Sequence, residues 1–224
     1  MKRQPFPGVV TTIAMQAKTR RHLGQRANVF IDGKFSFALD VALIKKYQLE
    51  NGRRIDGVLL SQLLQEDGDA KAYARALHFL SYRRRSIKEV RERLERDEWP
   101  DEVIARVLTR LQTEKLLGDE TFSSAWVEHR TLSRKPRGAG MLRAELRHKG
   151  VARETIDEAL PDANAELQNA TVAMRAILNS KSRAWSTLEA HEKQNKLFAA
   201  MQRRGFIYCV AKTAWNQLQE EGEV

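Results

Sequence analysis

Leu142-Arg143-Ala144-Glu145-Leu146-Arg147-His148-Lys149-Gly150-Val151 is the stretch that decides the fold, because the chain carries it in three versions. Leu142 and Leu146 stand one helical turn apart, Gly150 stops the helix, and Val151 returns the chain to the apolar side. Earlier in the chain, Val90, Leu94, Trp99, Ile104 and Leu108 keep the spacing of Leu142, Leu146, Val151, Ile156 and Leu160. Later, Leu197, Met201, Gly205 and Phe206 repeat Leu142, Leu146, Gly150 and Val151, which lays Gln202-Arg203-Arg204-Gly205 on Arg147-His148-Lys149-Gly150. Similarity at a fixed period marks a repeat architecture, in which a unit that cannot bury its own apolar face buries it against its neighbours. The third copy is the loosest: Ala211 replaces Ile156, and a longer insert, Asn179 to Glu192, precedes it.

Working outward, the whole chain from Ala70 reads at the helical period, with Pro and Gly only where helices start or stop. Ser86-Ile87-Lys88-Glu89 has capping-box spacing, and Val90 and Leu94 lie one turn apart behind it. Trp99-Pro100 ends that helix, and Pro100 opens a helix whose apolar face is Val103, Ile104, Val107, Leu108 and Leu111. Each unit is then a helix, a connector and a tight helix pair, over residues 69–117, 118–161 and 162–224.

The first forty residues have a different texture. Gly8-Val9-Val10-Thr11-Thr12-Ile13 and Asn28-Val29-Phe30-Ile31-Asp32-Gly33-Lys34-Phe35-Ser36-Phe37-Ala38-Leu39 are rich in β-branched and aromatic residues, and Asp32-Gly33 suits a two-residue type I′ turn. This predicts a β-hairpin plus one further strand. Asp40 caps a short helix carrying Val41, Leu43, Ile44 and Tyr47; Asn51-Gly52 breaks it, and another helix follows around Val58 to Gln65. The polar run Gln65-Glu66-Asp67-Gly68-Asp69 reads as the boundary of a mixed module over residues 1–68. The expected fold is mainly α: an elongated array of three tandem three-helix repeats, preceded by a small module with a β-hairpin or three-stranded sheet and short helices.

With 42% hydrophobic and 30% charged residues the chain can bury a core, as one domain or two smaller modules. Its 39 Lys and Arg against 29 Asp and Glu leave a net charge of +10, which points to a polyanionic partner. The lone Cys209 cannot form an internal disulfide and, in an apolar helical stretch, is expected to be buried as a small hydrophobe. The leading Met1-Lys2-Arg3-Gln4-Pro5 opens no apolar run suited to a signal peptide, and no apolar stretch is long enough to span a bilayer, so a cytoplasmic protein is expected. His22, His78, His129, His148 and His191 are scattered without Cys or carboxylates at metal-ligand spacing, and there is neither a Walker loop nor a Gly-rich dinucleotide fingerprint. With Cys209 isolated, the expectation is no enzyme, no metal and no cofactor.

Basic residues gather at the helix junctions. Arg83, Arg84 and Arg85 precede the first helix pair, while Arg130, Arg134, Lys135 and Arg137 precede the second. Arg143, Arg147 and Lys149 extend the latter group with only Glu145 opposing it between Arg130 and Lys149, and Arg203 and Arg204 stand at the third break. These twelve cations are the candidate binding residues for phosphates or for carboxylates of a protein. By contrast, Lys88 to Glu98 alternates acids with bases and reads as a solvated helix face. Trp99, Trp126, Trp185 and Trp215 sit at repeat-core positions and are read as packing residues in preference to base-stacking ones.

Several of these runs resemble the RecX family. Tyr82-Arg83-Arg84-Arg85-Ser86, Glu89-Val90, Leu94, Val103-Ile104 and Val107-Leu108 are similar to its first repeat. Leu116-Leu117-Gly118-Asp119-Glu120-Thr121-Phe122, Trp126-Val127, Pro136-Arg137-Gly138, Leu142, Glu145-Leu146, Lys149-Gly150-Val151 and Ile156 follow the second nearly throughout. Arg203-Arg204-Gly205-Phe206 matches the third, with looser agreement at Gln194 and Lys196-Leu197, and Val29 to Phe37 resembles the extension of longer members. Ile87 and Lys88 depart from the usual small or acidic positions after Ser86. The resemblance implies a non-enzymatic regulator that binds RecA, lies in the groove of its filament on DNA, and damps ATP hydrolysis, strand exchange and filament extension; an extended repeat protein has no need to dimerise, so a monomer is expected. It implies weak binding to single- or double-stranded DNA without sequence preference, and no membrane partner. A stand-alone helical nucleic-acid-binding protein and a purely structural helical scaffold remain open from the residues themselves, since tight helix pairs also occur in helix-turn-helix readers.

Overall fold

A computed structural model of the protein describes residues 4–17 and 25–223; the Met1-Lys2-Arg3 leader and His22 lie outside them. The chain divides into two compact units. One holds the chain up to Arg83 together with Arg91–Thr113, and the other holds Arg84–Val90 together with everything from Glu114 onward.

The first unit begins with strands β1 (Gly8–Met15), β2 (Arg26–Ile31) and β3 (Lys34–Asp40), then helix α1 (Val41–Lys46), strand β4 (Arg54–Ile55) and helix α2 (Gly57–Leu80). All four strands pair antiparallel in the order β3-β2-β1-β4. Asp32 and Gly33, at φ 48° and 77°, make the expected hairpin turn between β2 and β3. The sheet has one more strand than the sequence reading allows. Arg54 and Ile55, too short to show alternation, pair with Val9 and Gly8. As expected, Asp40 caps α1, its carboxylate accepting from the Ala42 N–H at 2.8 Å.

The predicted boundary at Gln65–Asp69 is not there. Helix α2 runs through it without a break, so the short helix of the module and the first helix of repeat 1 are one element. The cause is Asp67, which is polar in sequence but buried in the fold. Its carboxylate takes both guanidinium nitrogens of Arg26, at 2.8 and 3.0 Å, and the Lys71 ammonium at 2.6 Å. Leu60 and Leu63 of α2 close the sheet core with Val10, Val29, Ile31, Phe37, Leu39 and Ile55. Its later turns, with buried Ala72 and Ala76, pack on α4 (Asp101–Thr113).

Helix α3 (Ile87–Arg96) joins the units: its start belongs to the second and its end to the first. The capping box at its start is formed, with Ser86 Oγ accepting from the Glu89 N–H and the Glu89 carboxylate accepting from the Ser86 N–H, both at 3.2 Å. The second unit continues with α5 (Asp119–Thr131), α6 (Ala139–His148), α7 (Arg153–Ala159), α8 (Ala163–Lys181), α9 (Ala190–Arg203) and α10 (Tyr208–Glu220). Phe122, Val127, Leu142, Leu146, Val151 and Ile156 form one core, flanked by Trp126. Met174, Ile177, Leu197, Met201, Phe206, Ala211, Ala214 and Leu218 form another, with Trp185 and Trp215 against it. The tryptophans of this unit thus pack as expected. Cys209 does not: it is exposed on the first turn of α10, because Ala211, Ala214 and Leu218 take the inward face.

The sequence frame is also a geometric one. Glu98, Gly150 and Gly205 occupy the same place in the three helix pairs, and all three have positive φ, at 60°, 80° and 91°. At each, the following amide reaches back to close the helix: Trp99 N–H to the Leu94 carbonyl, Val151 to Leu146, and Phe206 to Met201, each at 3.2 Å. This is the bond pattern of a Schellman stop. No described helix is long and apolar enough to cross a membrane.

Candidate binding surface at the helix breaks

Within the second unit, the start of one helix is seated on the break of the next pair, twice and in the same way. At the first junction Ser86 Oγ donates to the Lys149 carbonyl at 2.8 Å, and the Ile87 N–H donates to the Asp119 carboxylate at 3.0 Å. At the second, the Gly138 N–H donates to the Arg204 carbonyl at 2.8 Å and the Gly140 N–H to the Gly205 carbonyl at 3.0 Å. The Ala139 N–H there donates to the Glu166 carboxylate at 2.9 Å. Gly138 holds the place of Ser86, Arg204 that of Lys149, and Glu166 does the work of Asp119. Burial raises the carboxyl pKa of both Asp119 and Glu166, and the amide each accepts only partly offsets it.

Close approach explains the glycines. A Cβ on Gly138 would lie 2.5 Å from both the carbonyl carbon of Gly205 and the nitrogen of Phe206. Backbone meets backbone here, so Pro136-Arg137-Gly138 does more than end one helix and start another. It places Arg137 next to the amide that is bonded to the Arg204 carbonyl.

The twelve candidate cations fall into distinct environments. Arg130 lies with its guanidinium 4.6 Å from the Trp126 ring centroid and donates to Glu145 at 3.0 Å, while Trp126 Nε1 donates to the same carboxylate at 2.8 Å. Lys149 sits 5.4 Å from that ring and pairs with Glu89 at 2.7 Å. Arg143 pairs with Asp157 at 2.6 Å and holds that carboxyl below its ordinary pKa. Three cations of the second group therefore have counter-charges inside the fold. Glu145 was legible as an opposing acid, but Glu89 and Asp157 were not, since pairing across a fold leaves no local sequence signal.

Arg83 and Arg84 are exposed and Arg85 is half-buried, in the connector ahead of α3. Arg134, Lys135, Arg147 and Arg203 are exposed, and Arg137 and Arg204 half-buried. Among the described residues, none of these last six has a carboxylate within ion-pair distance. Arg204 donates instead to the Ala173 carbonyl at 3.3 Å. Burial lowers its pKa, and the charge of Arg137 lowers it further. The six cations lie in the α5–α6 connector, in the last turn of α6 and at the end of α9, where they can meet a polyanion without first breaking an ion pair.

Among the described residues, no group of three or more His, Cys, Asp or Glu side chains could hold a metal ion.

The chain is similar to known proteins along most of its length. Residues 8–56 match the regulatory protein RecX N-terminal domain, 72–111 the first three-helix domain of RecX, and 119–160 the second. The regulatory protein RecX of Bacillus subtilis (strain 168) is 34% identical over 216 residues, covering 96% of this chain and 78% of that protein. That of Levilactobacillus brevis is 34% identical over 199 residues, or 88% and 71% of the two chains. A crystal structure of regulatory protein RecX superposes with a TM-score of 0.71 over 94% of this chain and all of the other, at 22% identity. RecX from Lactobacillus salivarius gives 0.61 over 69% and 98%, at 23% identity. The two structures share the fold, and the relatives share the sequence along nearly all of it: the chain belongs to the RecX family of regulatory proteins.

Proposed function

We propose that the protein binds RecA and its filament on DNA, and that it restrains ATP hydrolysis, strand exchange and filament extension. The observation that carries this reading is the set of cations without internal counter-charges at the helix breaks of a RecX-family chain. Arg134, Lys135, Arg137, Arg147, Arg203 and Arg204 are its principal contacts, with Arg83, Arg84 and Arg85 beside the start of α3. Arg130, Arg143 and Lys149 contribute their residual charge from within ion pairs, where each is worth less to a partner. The protein acts in the cytoplasm as a monomer, carries out no reaction, and needs no cofactor. Bare DNA is held weakly and without sequence preference, since phosphate contacts position a protein without reading bases.

The test is RecA-catalysed ATP hydrolysis on single-stranded DNA, titrated with this protein at fixed salt beside a control without RecA. The reading expects a concentration-dependent fall and no turnover in the control. Unchanged hydrolysis at protein equal to RecA overturns it. Tight binding to one defined duplex without RecA would instead identify a stand-alone DNA reader.

A further inference from the structure

The two junctions of the second unit differ in charge: the first is electrically closed and the second is open. At the first, the cation on the break, Lys149, is neutralised by Glu89 from the opening turn of α3. At the second, the matching cation is Arg204 and the residue in the place of Glu89 is Met141. Among the described residues, no carboxylate lies within ion-pair distance of Arg204. The neighbour that the backbone does supply is another cation, since Arg137 directly precedes Gly138, whose N–H is bonded to the Arg204 carbonyl at 2.8 Å.

Two like charges are thus brought near one another by a backbone lock that tolerates no Cβ at Gly138 or Gly205: the charge of Arg137 lowers the pKa of Arg204, whose guanidinium also donates to the Ala173 carbonyl at 3.3 Å. Holding them together without an anion costs free energy, which a ligand of opposite charge recovers. The first amides of α6 are already spent on Glu166 and Gly205, so any such ligand is gripped by the guanidinium groups. Each presents a fork of donors matched to the oxygens of a phosphate. A repeating anion fits better than a lone carboxylate, because Arg134 and Lys135 closely precede Arg137 in sequence and Arg203 directly precedes Arg204.

We propose that Arg137 and Arg204, clasped at the junction of α6 with the α9–α10 break, form a clamp for one backbone phosphate of a nucleic-acid strand. This deepens the reading of the chain as a regulator bound to a nucleoprotein filament and rests on it. The clamp assigns the nucleic-acid contact to this junction and leaves the closed first junction as a structural counterpart.

The experiment is binding of a fluorescently labelled oligothymidylate to the full chain, followed by anisotropy over a salt series without RecA. Arg137→Gln removes one arm. Met141→Glu places a carboxylate where Glu89 stands in the other junction, neutralising Arg204 without deleting it. For each, the slope of log affinity against log salt falls by about 0.7, the value for one lost phosphate contact on a single strand. Arg137→Lys retains most of the slope, and Arg175→Gln, which removes a cation already paired with Glu221 and Glu223, retains all of it. Thermal melts check that each variant is folded.

Wild-type slopes in folded Arg137→Gln and Met141→Glu overturn the clamp, as does a wild-type protein that does not bind the oligonucleotide. Loss of RecA-filament binding with oligonucleotide binding intact also overturns it, assigning the pair to a protein carboxylate. These outcomes are separate from the ATP-hydrolysis test, so the clamp can fail while the regulatory reading stands, and the reverse.

Discussion

Gly138 and Glu98 show how much one residue decides when a repeat is built on a fixed break. At Gly138 a methyl group would drive into the Gly205 backbone, whereas at Gly33, in the hairpin turn, a Cβ meets nothing within 4 Å. Gly138→Ala is expected to destabilise the protein by about 2–3 kcal/mol through overpacking, against about 1–2 kcal/mol for Gly33→Ala from its positive φ alone. Urea unfolding of the two variants decides this, and equal losses would mean the junction yields freely. Glu98 offers the converse. It holds the positive φ that Gly150 and Gly205 hold in the other pairs, but with a side chain. Glu98→Gly is expected to raise stability by about 0.5–1 kcal/mol, the relief of left-handed strain less the added chain entropy. A lower unfolding midpoint would show that the Glu98 side chain earns its place elsewhere.

Among the elements, buried and half-buried carboxylates tie helices to their neighbours with opposite dependence on pH. Asp67 locks α2 to the sheet. Burial works to raise its pKa, but bonds from Arg26 and Lys71 outweigh this and leave it lowered. Its contribution is therefore present above the ordinary Asp value and lost as pH falls through the lowered one. Asp119 and Glu166 pin the starts of α3 and α6, and burial raises both. Their contribution is greatest below the ordinary carboxyl value and declines as pH rises through the raised ones. Asp119→Asn and Glu166→Gln keep an oxygen to accept the amide but remove the buried charge. Relative to wild type, both variants should gain stability between acid and neutral pH, and Asp67→Asn should lose it. Urea midpoints across that range test the signs; a constant offset for all three would sink the assignment.

On the scale of the whole molecule, under the proposed function a net charge of +10 favours encounter with a polyanion, and the distribution of counter-charges selects where contact is expected. Replacing Arg134, Lys135 and Arg137 together by Ala should weaken binding equally on every DNA sequence and flatten the salt dependence by about 2, at roughly 0.7 per contact. Filter binding to unrelated oligonucleotides measures both. An effect confined to one sequence would identify direct base readout in place of phosphate contact.

The sequence alone determined what recurs locally. The spacing of Leu142, Leu146 and Val151 set the helix pairs, Asp32-Gly33 the hairpin, and Ser86-Ile87-Lys88-Glu89 a capping box, because each depends on groups within a few residues of one another. The three-dimensional structure decided what depends on distant partners. Asp67 reads as part of a polar linker until Arg26 draws it inside, and α2 then continues through the expected boundary. Strand β4 exists only because β1 offers it an edge, and Cys209 is exposed because the inward face of α10 is already filled. The candidate binding surface divides in the same way. Its cations are plain in the sequence, but which of them are neutralised is settled by Glu89, Asp157 and the seating of Gly138 on Gly205, across separations that no local pattern records.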